Sequence, residues 1–220
     1  MKAEIKGGAA FGYVDVELEP GEQITAESDA MSSMSADLDM ETRTNGSFFI
    51  AILRKFLGGE TFFINRFSNN TSGVRKLTLV QPTPGEVRCA ELNNETLCFQ
   101  PGAFLAATEG VTLGVRWAGF KSFIAKEGLF KLVVSGTGKV WYGAYGALLE
   151  KEIDGEYIVD TSHLVAYDPG LSLHIQLAGG LFSSFFGGEG LVTRVEGKGK
   201  VIIQTRSISG LTDWINPKLF

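Results

Sequence analysis

The chain has 220 residues, a formal net charge of −5 and a hydrophobic content of 44%, with 16 phenylalanines. This acidic balance, with Lys and Arg scattered along the chain, argues against a nucleic-acid-binding protein and against attraction to an acidic membrane surface. No apolar run reaches the roughly 20 residues of a membrane helix, and residues 1–8 lack the apolar core of a signal peptide. We therefore expect a cytoplasmic protein without a membrane span, whose apolar surplus covers subunit interfaces.

Strand patterns dominate the chain. Residues 14–18 alternate apolar and acidic side chains, and residues 130–134 and 201–203 are rich in β-formers. The 28 glycines supply the turns between strands. The chain is therefore expected to belong to the all-β class.

A few short helices are expected beside the strands. Residues 48–57 place apolar side chains on one helical face, and Gly58-Gly59 forms a natural end. Equivalent but shorter segments lie around residues 120–123 and 182–185.

Four landmarks recur three times in the same order. Each copy begins near a glycine, continues to a turn ending in Glu and an apolar segment closing on a second Glu, and ends in a glycine-centred turn before a strand. The landmarks are Gly12, Gly85 and Gly146; residues 20–22, 93–95 and 154–156; Glu60, Glu127 and Glu189; and Gly73, Gly138 and Gly199. Since successive copies lie about 60–75 residues apart, we predict three repeats, at about 12–80, 85–143 and 146–206.

The repeats predict a single domain over residues 1–207, followed by a tail at 208–220. No Pro/Ser-rich or charged linker separates the copies, so they are expected to share one core. Each copy has too few apolar strands to close a sheet alone. Closing three pseudo-symmetric β units around an axis into a barrel-like assembly would remove most open edges.

An ordered set of segments resembles the AIM-type family, named from "altered inheritance of mitochondria". The segments are residues 20–22, 30–34, 100–106, 162–166 and 197–206, and the resemblance runs from about residue 11 to 207. It implies a double-stranded β-helix-like fold like that of the tryptophan RNA-binding attenuation protein, in which subunits of about one repeat assemble into rings. Three units in one chain would then form an internal pseudo-trimer. The resemblance supplies no catalytic residue.

Residues 135–139 superficially suggest a phosphate-binding loop. The motif requires Gly where Val133 stands and Ser or Thr where Val140 stands. We predict β-turns here and at residues 196–200.

Cys89 and Cys98 flank Asn93 and Asn94. A two-residue hairpin at these asparagines would place the cysteines directly opposite each other, where a cross-strand disulfide is geometrically possible. Two reduced thiols are the expected state in the cytosol.

The repeated glutamates have two interpretations. Either set, Glu22, Glu95 and Glu156 or Glu60, Glu127 and Glu189, would form a ring of three carboxylates able to hold a hard cation. Alternatively, each carboxylate accepts hydrogen bonds from amides at its own glycine-rich turn, which is the interpretation we favour.

The remaining candidate side chains favour packing roles. His163 occupies the repeat position of Ala103, and with His174 as the one other histidine a zinc site is not predicted. A further group, expected to fill the core, consists of Met31, Met34 and Met40.

The sequence predicts a non-enzymatic binding or scaffold protein that assembles with itself or docks a partner. We nominate no catalytic, metal-binding or cofactor-binding residue. One alternative is a small-molecule site between the β units, and a further one is RNA binding by analogy of fold. The tail is expected to dock a neighbour through Trp214 and Phe220, or to cap the chain's own barrel.

Overall fold

The structure is a computed structural model that describes residues 1–44, 63–100, 102–117, 130–177 and 191–219. The helix predicted at 48–57, the segments at 120–123 and 182–185, and Glu60, Glu127, Glu189 and Phe220 lie outside these ranges.

Fifteen strands make up most of the described chain, and the predicted all-β class is confirmed. The first seven strands are β1 (Lys2–Lys6), β2 (Tyr13–Leu18), β3 (Gln23–Glu27), β4 (Met31–Met34), β5 (Asp39–Thr44), β6 (Phe63–Ser68) and β7 (Arg75–Val80). The next four are β8 (Val87–Phe99), β9 (Phe104–Thr108), β10 (Val111–Trp117) and β11 (Phe130–Gly143). The last four are β12 (Leu148–Asp160), β13 (Leu164–Tyr167), β14 (Ser172–Leu177) and β15 (Leu191–Gln204). Helix α1 (Ile208–Ile215) follows, and 3-10 turns occupy Thr161–His163 and Asn216–Lys218.

The strands form two open sheets. The smaller has the order β1-β2-β7-β4, and the larger runs β12-β15-β13-β8-β11-β9-β3-β6-β5, with β10 added to β11 and β14 to β15. Within the described ranges this path does not return on itself, so the strands do not close into a barrel. The expected closure around an axis is therefore not formed, because the units follow one another in a row.

One pairing scheme recurs in three consecutive segments of the chain. In the first, β7 pairs with β2 and β4, and β6 pairs with β3 and β5. In the second, the 14-residue strand β11 takes both roles and pairs with β8, β9 and β10. In the third, β15, also of 14 residues, pairs with β12, β13 and β14.

Three apolar cores follow the same order. The first is built from β2, β3 and β7 and includes Leu105, Ala106 and Trp141 of the second segment. The second core includes Val165, Ala166 and Ile202 of the third segment, whereas the third core draws Cys98 and Val133 from the second. Among the described residues, the third core contains no side chain of the first segment. Among the residues that the structure describes, these cores therefore link neighbouring segments and not the two ends of the row.

The prediction of a turn that ends in Glu is wrong in two of the three copies. Residues 93–95 lie inside β8 and residues 154–156 inside β12, both continuous 13-residue strands. Asn94 adopts a positive φ of 58° near a register shift in the β8–β11 ladder, and Gly155 faces Gly197 across the β12–β15 ladder. The turn-forming residues are absorbed as irregularities within long strands. In the first copy alone, residues 20–22 do connect two separate strands, β2 and β3.

The prediction of glycine-centred turns in the second and third copies is also wrong. Residues 135–139 lie within β11, and residues 196–200 within β15. Gly136 has a φ of 127°, and a Cβ there would lie 2.2 Å from the carbonyl oxygen of Gly110. A close backbone approach, not a turn, therefore requires this glycine.

Candidate binding surfaces

The two cysteines do not face each other. Both lie on β8, where Cys89 is opposite Trp141 and Cys98 is opposite Val133 on β11. Nine residues of one strand place their Cα atoms roughly 30 Å apart, far beyond the reach of a disulfide. The predicted hairpin, and with it the possible cross-strand bridge, is wrong because β8 continues through the asparagines.

The first set of glutamates makes local contacts. An oxygen of Glu22 accepts a hydrogen bond from the Glu19 amide at 2.8 Å, and one of Glu95 accepts from the Asn93 amide at 3.3 Å. Glu156 forms an ion pair with Arg194. In the part of the chain that the structure describes, no group of three or more His, Cys, Asp or Glu side chains is placed to hold a metal ion. These contacts agree with the local-acceptor interpretation of Glu22 and Glu95.

The histidines and methionines have separate surroundings. The Nδ1 atom of His163 lies 2.6 Å from the carbonyl oxygen of Gln204, whereas His174 is 3.8 Å from Glu196 at the surface. Met31 and Met34 are partly buried against the first core, as expected, but Met40 is exposed. The three methionines therefore do not form one surface.

A cleft lies between α1 and the end of the third segment. Its volume is about 510 Å³, and it is lined by Tyr145, His163, Thr205, Arg206, Ser207, Gly210, Leu211 and Trp214. The Ser207 hydroxyl caps α1 by accepting from the Gly210 amide at 3.1 Å. The Arg206 amide donates to the Tyr145 carbonyl at 3.2 Å, which fixes the backbone at the base of the cleft.

The cleft lining combines aromatic rings with the guanidinium group of Arg206. Trp214 is 63% exposed, and the Nζ atom of Lys218 lies 4.1 Å from the centre of its ring. Arg206 is exposed at the edge of the same cleft. Stacking on an aromatic ring beside a guanidinium suits an anionic ligand with a planar body.

The sequence of the tail contains a signal for the helix that borders this cleft. Ser207 precedes apolar residues at 208, 211 and 215, which is an N-cap followed by one helical face. The repeat pattern does not predict this helix, because the tail lies outside the repeats.

Neighbouring segments are joined by short ladders between one strand of each. On one side β3 pairs with β9, with Ala26 opposite Ala106. On the other, the end of β8 pairs with β13, with Phe99 opposite Ala166. The strands β4, β9 and β13 are counterparts, since they pair with β7, β11 and β15. In both ladders, the earlier segment contributes the strand that comes just before its own member of this set.

Two strands that occupy these linking positions have no partner on their outer side within the described ranges. One is β4, called here the β4 edge, and the other is residues 156–160 of β12, called the β12 edge. Ser32 and Ser33 of β4 are exposed, whereas all four residues of β13 and the first four of β9 are buried. On the β12 edge, Tyr157 and Ile158 are exposed, the latter by 50%. Both edges therefore have the exposure expected of linking strands without their partners.

Comparison with known proteins places this arrangement in a family. The sequence profile of the family described as "Mitochondrial biogenesis AIM24" matches residues 3–206. The chain belongs to this family. The AIM24 match begins within β1, spans the fourteen further described strands, both edges included, and ends before α1. The suspected AIM-type resemblance is thereby confirmed.

Two similar proteins of Streptococcus pyogenes extend over almost the whole chain. The uncharacterized protein M6_Spy0233 of serotype M6 is 27% identical over 217 residues, which covers 94% of this chain and 87% of that protein. The crystal structure of protein SPYM3_0169 has a TM-score of 0.80 and 26% identity, and 99% of each chain is covered. The AIM24 chain thus shares its architecture with a solved relative over its full described length.

No membrane-spanning helix is present in the described ranges: none has the necessary length and apolar composition.

Proposed function

We propose that this AIM24 protein is a non-enzymatic scaffold that assembles with further copies of itself through the open edges of its sheets. The observation that carries the proposal is the exposure of the β4 edge, whose counterparts β9 and β13 are buried by a neighbouring segment. An unpaired strand presents a row of backbone donors and acceptors that another strand can satisfy. The chain thus offers for association the same kind of surface that joins its own segments.

The charged side chains give further support to a structural role. Many of them form ion pairs between neighbouring strands, such as Lys200 with Glu150 at 2.7 Å and Lys6 with Asp15 at 2.7 Å. Pairs of this kind contribute little stability individually, but they occupy the carboxylates and amines of the sheet surface.

Sedimentation over a wide range of protein concentration tests the proposal. The expected result is a mass that rises above one chain as concentration increases. A mass of one chain at every concentration would refute self-assembly.

A second candidate function is the binding of a small anionic, aromatic molecule in the cleft beside α1. It is supported by Arg206 and the exposed ring of Trp214 on one lining. In thermal-shift screening, an aromatic carboxylate or phosphate that binds here should raise the unfolding midpoint of the parent but not of Arg206→Gln. Lys151→Gln on β12 is the control, because it removes the same charge outside the cleft. Equal shifts in the parent and both variants would place the ligand elsewhere and refute this site.

A further inference from the structure

We propose that the β4 edge of one copy pairs antiparallel with the β12 edge of a second copy, with Ser33 opposite Val159 and Met34 opposite Ile158. This inference rests on the proposed self-assembly and specifies its interface. The partner is therefore another copy of this chain, bound head to tail.

The register follows from the two ladders that already join the segments. On β11, Trp141 pairs with Ala106 and Val140 with Ala107; on β15, Ile202 pairs with Ala166 and Val201 with Tyr167. The corresponding pairs on β7 are Thr78 with Ser33 and Leu77 with Met34. Ser33 is therefore the counterpart of Ala106 and Ala166, and Met34 is the counterpart of Ala107 and Tyr167.

The opposite side of the interface is fixed in the same way. Phe99 pairs with Leu132 on β11, the third residue of a 14-residue strand. The third residue of β15, Thr193, pairs with Val159. Val159 is thus the counterpart of Phe99, and Ile158 is the counterpart of Cys98. Since Phe99 faces Ala166 and Cys98 faces Tyr167, Val159 should face Ser33 and Ile158 should face Met34.

The side chains at these positions suit a close contact between strands. Ser33 is small, like the alanines at 106 and 166, so a second strand can approach its backbone. Val159 is already buried, as Phe99 is in the formed ladder, whereas Ile158 is exposed and Cys98 is buried. Pairing would bring Ile158 to the burial that its counterpart has.

A second copy is favoured over closure within one chain. The third core contains no described residue of the first segment, and β4 and β12 form no ladder in the described ranges. The two edges are different surfaces at the two ends of a row, so their pairing is heterologous. Repetition of such a contact gives a closed ring or an open chain.

Disulfide cross-linking between two variants, each with one introduced cysteine, tests the register. Met34→Cys and Ile158→Cys are made in a Cys89→Ser background, which removes the exposed native thiol, and one of them carries a mass tag. Residues directly opposed in an antiparallel ladder have Cα separations of about 4.5–5.5 Å, within disulfide range. We expect the mixed dimer on mild oxidation, in at least tenfold excess over dimers of either variant alone.

Leu149→Cys provides the matched control for Ile158→Cys. It lies on the same strand and is 42% exposed, but it falls outside the proposed ladder. Mixed with Met34→Cys, it should give less than a tenth of the cross-linked product. Likewise, Ile158→Lys should lower the assembled mass to one chain, whereas Leu149→Lys should leave it unchanged.

The outcomes separate this interface from self-assembly in general. An assembled protein whose cross-links join two copies of the same variant, or that forms none, would overturn the register while leaving self-assembly intact. An intrachain disulfide in the Met34→Cys/Ile158→Cys double variant at high dilution would place the ladder within one chain and overturn the second copy. A one-chain mass at every concentration would refute both proposals.

Discussion

Replacement of Gly85 by alanine should destabilise the fold strongly, because the starts of the three segments meet at this residue. The Gly12 amide donates to the Gly85 carbonyl at 2.8 Å, and Gly85 forms a parallel bridge with Gly146. A Cβ on Gly85 would lie 1.8 Å from the carbonyl oxygen of Ala144 and 2.7 Å from the nitrogen of Gly146. Because these atoms belong to backbone, no side-chain rotation can relieve the overlap.

The magnitude follows from what must move. Separating the backbones lengthens the bonds from Glu86 to the Gly146 carbonyl and from Gly146 to the Pro84 carbonyl, at 2.8 Å and 3.0 Å. Loss of two such bonds costs about 1–3 kcal/mol, and overpacking adds about 1–3 kcal/mol. We therefore expect a loss of about 2–6 kcal/mol, and a fall in the thermal midpoint of about 4–24 °C for a chain of this length, at about 2–4 °C per kcal/mol.

Thermal unfolding followed by circular dichroism measures the effect. Gly170→Ala is the control, since a Cβ at Gly170 meets no atom within 4 Å and its φ lies outside the left-handed region. The control should unfold within about 2 °C of the parent. If Gly85→Ala also unfolds within 2 °C of the parent, the close approach of the three segment starts is not a constraint on the sequence, and the reasoning fails.

Three further variants test single contacts. Burial alone would raise the pKa of Glu86, but its hydrogen bonds to Arg88 at 2.6 Å and to a backbone amide hold that pKa below 4.5. The stability that Glu86 contributes is thus present above pH 4.5 and lost as pH falls through the folded pKa. In urea titrations, Glu86→Gln should therefore lower the free energy of unfolding by about 1–3 kcal/mol at pH 7, and by progressively less below pH 4.5. Asn69→Ala should cost about 2–4 kcal/mol by the same assay, because the buried Asn69 amide donates to two carbonyls at 2.8 Å. Asn69→Asp should not restore these two hydrogen bonds, and a loss below about 1 kcal/mol in Asn69→Ala would contradict the reasoning. Ser207→Ala should fray α1 and lower helical ellipticity, at a cost of about 1 kcal/mol, whereas Ser207→Asp should retain the cap; equal ellipticity in all three proteins would contradict it.

The sequence predicts the strands better than their connections. Residues 14–18 lie on β2 with alternating burial, as the apolar and acidic alternation indicates. The same method fails at Asn93-Asn94 and Asp154-Gly155, because local turn preference is outweighed by long ladders on both sides of each site. A positive φ at Asn94 is compatible with either a turn or a strand irregularity, so the residue type alone does not distinguish them.

The candidate surfaces can be identified only from the way the strands pair in the structure. Residues 31–34 contain two serines where residues 104–107 are apolar, but this difference alone does not reveal which strand lacks a partner. What separates them is that β9 has β3 beside it and β4 has no described strand on its outer side. Position in a row of segments is a property of tertiary structure, and no window of sequence reports it.

The two candidate surfaces are adjacent, which links the two candidate functions. The β12 edge ends at Asp160, whose carboxylate caps the 3-10 turn that carries His163 into the cleft. Gln204 donates to the Ser162 carbonyl at 3.0 Å and accepts from His163, so the turn is held against the end of β15. A ligand that repositions this turn also shifts the β12 edge, and so changes the affinity of one copy for the next. By linkage, assembly then changes the affinity for that ligand by the same factor. We therefore expect any ligand found by thermal shift to change the concentration at which the chain assembles. An unchanged midpoint of assembly at saturating ligand would show that the turn transmits no coupling.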